Sequence, residues 1–149
     1  MTGEIPASIA NLKELELLSL RNNHITPPGL SGNIPTDIGT LSKLKHLLLN
    51  ENQLSGHLPS SITQLTNLET LILDYNNLTS LPNLSTLTNL EILRIEGNSF
   101  PSGPIPDWFY ELRNLEEFFD KFIQRLKVVD TFNLSSNGKL LDKSPRITG

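Results

Sequence analysis

Few side chains in this chain could move a proton near neutral pH. The three histidines, His24, His46 and His57, fall in three unrelated contexts: a turn, a strand face and a return segment. His46 beside a carboxylate from a neighbouring segment is the one arrangement that could be drawn as a general base. The acidic neighbours Glu14 with Glu16 and Glu116 with Glu117 read as solvated faces. With Cys at 0 there is no disulfide framework, no thiolate metal site and no cysteine nucleophile. The sequence carries no H-E-x-x-H, G-x-S-x-G, P-loop or G-x-G-x-x-G element. No catalytic residue, metal ligand or cofactor is therefore expected, and binding is the chemistry left to look for.

The composition narrows what could be bound. At 149 residues the chain has room for one ordinary domain, and its net charge of -4 argues against nucleic acid, which needs clustered Lys and Arg. No apolar run approaches the roughly 18 residues of a membrane span, so no membrane insertion is expected. Leu and Asn are over-used, at 29 and 15 copies, and their positions repeat. Leu12, Leu15, Leu18, Leu20 and Asn23 define a spacing L-x-x-L-x-x-L-x-L-x-x-N. It returns at Leu41, Leu44, Leu47, Leu49 and Asn52, and again at Leu65, Leu68, Leu71, Leu73 and Asn76. A fourth copy runs through Leu87, Leu90, Leu93, Ile95 and Asn98. A period of this size marks a solenoid of stacked coils.

The segments between copies include Leu30-Ser31-Gly32-Asn33-Ile34-Pro35, Leu54-Ser55-Gly56-His57-Leu58-Pro59 and Ser102-Gly103-Pro104-Ile105-Pro106, and Thr2-Gly3-Glu4-Ile5-Pro6 is the tail of another. Together with the leucine spacing, this L-x-G-x-I-P element resembles the plant-type leucine-rich repeats of receptor-like kinases, receptor-like proteins and polygalacturonase inhibitors. The resemblance covers roughly residues 1–118. It implies an α/β solenoid: a right-handed leucine-rich-repeat coil with short parallel β-strands on the concave face and a 3-10 or irregular convex side. It also implies a non-catalytic, receptor-like recognition module for a protein or peptide ligand, at the cell surface or secreted. The opening Met-Thr-Gly-Glu-Ile-Pro lacks the charged-then-apolar layout of a leader. The alternatives are a scaffolding repeat that associates through exposed solenoid ends, and an inhibitor of a secreted hydrolase.

Residue chemistry supports the same architecture. A strand points the two leucines of L-x-L inward and the residue between them outward. Asn23, Asn52, Asn76 and Asn98 then form a ladder whose amides bond the backbone of the turn and of the adjacent coil. Gly and Pro suit the returning side. The first connection carries about five extra residues around Thr26-Pro27-Pro28-Gly29, expected to bulge outward. The third, from Leu78 to Leu84, is two residues short and lacks the Gly.

By this register the outward columns read Leu17, His46, Thr70, Ile92; then Ser19, Leu48, Ile72, Arg94; then Arg21, Asn50, Asp74, Glu96, with Asn22, Glu51, Tyr75 and Gly97 beyond. An apolar centre with a charged and aromatic rim has the anatomy of a contact surface. The ligand-binding residues expected on the concave face are Leu17, Arg21, His46, Leu48, Ile72, Asp74, Tyr75, Ile92, Arg94 and Glu96. Outward strand positions favour apolar residues for strand propensity alone, which is the competing reading.

Residues 1–106 form the expected solenoid. Residues 107–137 read as a degenerate repeat or capping helix: Leu112, Leu115, Phe119, Phe122, Leu126 and Val129 recur at helical spacing, predicting an amphipathic helix from about Asp107 to Lys127 and a last strand at Asp130 to Ser135. Residues 138–149 read as a loose tail. At the other end, Ile5, Ile9 and Leu12 are expected to present an uncapped apolar edge able to self-associate. Three glycosylation triplets begin at Asn77, Asn83 and Asn133, and the repeat itself generates such triplets.

Overall fold

The computed structural model describes residues 2–21 and 29–119. Every leucine-rich copy contributes one short strand to a first sheet: β2 (Leu17–Ser19), β4 (His46–Leu48), β6 (Thr70–Ile72), β8 (Ile92–Arg94) and β9 (Glu117–Phe119). All pair in parallel, in the order β2-β4-β6-β8-β9. The register is the one the leucine spacing dictates, with Leu18, Leu47, Leu71, Leu93 and Phe118 side by side. Leu47, Leu49, Leu71 and Leu73 are fully enclosed, as are Leu41, Leu44, Leu65 and Leu68. The aliphatic residues of successive coils thus merge into one continuous core, which no single coil could build.

The return segments form a second parallel sheet that the sequence reading did not anticipate. Its strands are β1 (Gly3–Glu4), β3 (Leu30–Asn33), β5 (Gln53–His57) and β7 (Asn77–Ser80), in the order β1-β3-β5-β7. Leu30, Leu54 and Leu78 point into the core from this side. Gly32 and Gly56 adopt φ of +74° and +73°, and a Cβ on either would collide with Glu4 or Asn33 of the preceding rung. The proline that closes each L-x-G-x-I-P element has a separate role. Pro6, Pro35, Pro59 and Pro106 each sit immediately before a 3-10 turn, Ala7–Asn11, Thr36–Thr40, Ser60–Gln64 and Asp107–Glu111, with φ between -62° and -72°. The shortened third connection has no such turn.

Two expectations about the ends are corrected. The helix predicted from Asp107 to Lys127 does not form over its described part: a 3-10 turn ends at Glu111 and strand β9 follows at Glu117–Phe119. The solenoid register prevails because Leu112 and Leu115 are buried as the inward leucines of another coil, and pairing with β8 satisfies the backbone of β9. Residues 120–127 of that helix, the strand at 130–135 and the tail at 138–149 lie outside the described residues. At the N-terminal end Ile5 is only 4% exposed, because the pairing of β1 with β3 carries it into the core. Ile9 is partly buried, whereas Leu12 and Leu17 are each 51% exposed.

Candidate functional site

The first sheet holds the candidate residues in fixed columns. Leu17, His46, Thr70 and Ile92 stand side by side in the pairing register, as do Ser19, Leu48, Ile72 and Arg94. Leu17 is exposed, while Leu48, Ile72 and Ile92 are half-buried on the outer side of the sheet. With strands ~4.8 Å apart, five of them present a face ~19 Å across, the span of about six residues of extended chain.

The rim is less open than the sequence suggests. Asp74 is 3% exposed and faces its own coil stack rather than solvent. Its Oδ2 lies 2.8 Å from Arg94 Nε, and its Oδ1 accepts a hydrogen bond from Glu96 N–H at 2.9 Å. Burial pushes the Asp74 carboxyl up, against the Arg94 charge and the Glu96 amide, which pull it down. Asp74 therefore fastens β8's coil to β6's coil and orients Arg94; it is not a free contact for a ligand. Glu96 and Glu51 are half-buried and Arg21 is exposed. Tyr75 is 49% exposed at φ +54°, and its ring lies across Gly97, where a Cβ would stand 2.5 Å from Cδ1. Gly97 thus gives Tyr75 a seat on the next coil.

His46 does approach a carboxylate, with its Nε2 3.9 Å from Glu69 Oε2 and its Nδ1 3.1 Å from Thr70 Oγ1. The first distance is beyond hydrogen bonding, and Thr70 is simply the residue opposite His46 in the strand ladder. His57 Nδ1 similarly meets Ser80 Oγ at 2.7 Å on the second sheet. Neither contact aligns a nucleophile, a base and an anion-stabilising group. Among the described residues no group of His, Cys, Asp and Glu could hold a metal ion, and no helix is long and apolar enough to cross a membrane.

The asparagines lie beneath this face. Asn52 Oδ1 accepts from Leu30 N–H at 2.9 Å while its Nδ2 donates to the carbonyls of Leu20 and Leu49 at 2.9 and 3.0 Å. Asn76 accepts from Leu54 N–H at 3.0 Å and donates to Leu49 and Leu73 at 2.9 and 3.1 Å. Asn98 repeats the pattern with Leu78, Leu73 and Ile95, each at 3.0 Å. Each amide joins both sheets of the coil before it. Asn23 lies outside the described residues. A second ladder escaped the sequence reading: Asn67, Asn89 and Asn114 donate to the carbonyls of Ser42, Thr66 and Thr88 at 2.8, 2.9 and 2.8 Å. The recurring Asn-Leu dipeptide one place before each inward leucine was its signal. In the first two coils the same position carries Glu14 and Lys43, which pair with each other, beside Lys45 Nζ and Glu16 Oε2 at 2.9 Å. The hydrogen bond and charge of Lys45 hold the Glu16 carboxyl below its ordinary value.

Comparison with known proteins agrees with this geometry. The Leucine Rich Repeat family matches residues 14–41 and 43–65, and Leucine Rich repeats (2 copies) matches residues 66–110. A search of curated proteins gives no match. Among solved structures, the leucine-rich-repeat ectodomain of the receptor kinase SOBIR1 from Arabidopsis thaliana is 37% identical with a TM-score of 0.69, over 80% of this chain and 61% of its own. The plant peptide hormone receptor RGFR1, solved in complex with RGF2, is 31% identical with a TM-score of 0.71, over 80% of this chain and 19% of its own. The Arabidopsis receptor kinase HAESA, solved with the peptide hormone IDA and the co-receptor SERK1, is 33% identical with a TM-score of 0.69, over 80% of this chain and 20% of its own. The chain thus spans about a fifth of the two hormone receptors. The repeat spacing, the two parallel sheets and these matches together show that the chain belongs to the leucine-rich-repeat family, with the fold of plant receptor-kinase ectodomains.

Proposed function

We propose that this solenoid is a non-catalytic recognition module that binds a peptide or an extended protein segment across the first sheet. The observation that carries the reading is the apolar row on outward strand positions: Leu17, Leu48, Ile72 and Ile92 in adjacent rungs, with Tyr75, Arg94 and Glu96 beside them. The row supplies apolar area, and the ionic rim supplies orientation and rejection of wrong partners. RGFR1 and HAESA, solved with peptide hormones, support it by likeness. The test is selection of a random-peptide phage pool on the wild-type chain, followed by binding of the enriched peptides to Ile72→Glu and Tyr75→Ala. Both positions are outward, so thermal melting should show both variants folded. Enriched peptides should lose at least tenfold in affinity; equal binding to both variants would refute the assigned face.

A second reading rests on Leu12 and Leu17, two large apolar side chains exposed at one end of the stack. End-to-end association through them would make the chain a scaffold. Light scattering across a concentration series should then show mass growth that Leu12→Glu with Leu17→Glu abolishes; a monomer at every concentration rejects it.

A further inference from the structure

We propose that the junction between the third and fourth coils is a binding site for a small uncharged aromatic molecule of fused-ring size, such as an indole. Two neighbouring return segments differ in length there. From Asn76 the chain reaches its inward Leu87 in 11 residues, whereas from Asn98 it takes 14 to reach Leu112. The longer segment cannot follow the shorter one in register, and among the described residues the second sheet ends at β7. The mismatch opens a cavity of about 260 Å³, walled by Leu81, Leu93, Ile95, Phe100, Trp108 and Phe109.

The outer wall resists collapse. Pro101, Pro104 and Pro106 fix φ at three of its positions and hold Phe100, Gly103 and Ile105 away from helical backbone. An apolar recess held open in this way keeps its walls against water, and a guest of matching shape gains by covering them. Size and polarity then define the guest. An apolar cavity of roughly 150 Å³ accepts one benzene ring, so this one has room for two fused rings and too little for a drug-sized ligand. Ser80 Oγ at the mouth already meets His57 Nδ1 at 2.7 Å, and no charged side chain lines the walls. A charged guest would lose its hydration without recompense. Three aromatic rings in the wall favour a planar guest, through edge-to-face and offset contacts.

The test uses the full chain and 5-fluoroindole, followed by its fluorine NMR signal. A saturable shift is expected, with 5-fluoroindole-2-carboxylate at least tenfold weaker. The cavity-filling variants Leu81→Trp and Ile105→Phe, used in parallel in case one fails to fold, should remove the shift. Ile72→Glu on the first sheet should leave it intact, which separates this site from the recognition face. No saturable shift up to the solubility limit, equal binding of the carboxylate, or unchanged binding in a folded filled variant would overturn the proposal.

Discussion

Replacing Asn76 with Ala tests whether the buried amides hold the stack together. The substitution removes one acceptor and one donor group from a site where water cannot substitute, since Leu49, Leu54 and Leu73 are fully buried. The losses are unequal. Leu49 and Leu73 carbonyls each keep a second partner, Asn52 Nδ2 and Asn98 Nδ2, both at 3.0 Å. Leu54 N–H has a single hydrogen, and its bond to Asn76 Oδ1 would vanish outright. One orphaned buried donor costs about 1–3 kcal/mol, and two weakened acceptors add about 0.5–1.5 kcal/mol together, giving a loss of about 2–4 kcal/mol. With a urea m-value of about 1–3 kcal/mol/M, the unfolding midpoint should fall by about 0.7–4 M. Circular dichroism during urea titration reads it, with Asn50→Ala as the internal control. Asn50 Oδ1 is buried with no hydrogen-bond partner among the described residues, so its removal orphans no described group and should not lower stability by more than about 0.5 kcal/mol. If Asn76→Ala loses under about 1 kcal/mol at unchanged m, or no more than Asn50→Ala, the amides are not what joins the coils.

Further outcomes follow from close approaches and from one buried charge. Gly39→Ala would place a Cβ 2.3 Å from the Ser61 carbonyl oxygen, between two 3-10 turns, and should cost about 1–3 kcal/mol, a melting-temperature drop of about 2–10 °C; an unchanged melt would mean the turns can separate freely. Gly97→Ala combines φ +67° with a clash on the Tyr75 ring, so Tyr75→Ala should rescue part of its loss, and a double-mutant cycle without coupling would contradict that seat. The raised Asp74 pKa means the folded state holds this proton more tightly than the unfolded chain. Its share of stability therefore grows as pH falls from neutral towards the ordinary value of 3.8, and Asp74→Asn should remove that gain; a difference between wild type and variant that runs the other way between pH 7 and 3 would refute the sign.

The strand sheet was legible because the leucine spacing encodes it directly: once Leu47 and Leu49 point inward, His46 and Leu48 must point out, and the same residues meet in the structure. The second sheet was not, because Gln53–His57 and Asn77–Ser80 carry Ser, Thr, Gly and His, and their pairing comes from stacking rather than strand propensity. The segment after Glu111 misled in the opposite way. Phe119 and Leu115 fit a helical stripe, yet Leu112, Leu115 and Phe118 fit the coil, and a ready partner strand decided for the coil. Asp74 looked like a surface charge because periodicity reports which side of a strand a residue leaves. Its burial depends on Arg94 from the following coil, information no local pattern contains.

The amides also give the stack a direction. Asn76 serves Leu49 and Leu54 of the coil before it, and Asn98 serves Leu73 and Leu78, so every turn of the spiral is completed by its successor. Trimming from the front frees an amide that can turn to solvent, together with strand groups such as the Lys45 and His46 N–H that pair with the Glu16 carbonyl oxygen. Trimming from the back bares main-chain groups along the whole inner seam of the newly terminal turn. The two ends therefore differ in what a cut exposes: strand groups are bared at either end, but only at the back do Leu-rich turns also lose the side-chain amides that complete them.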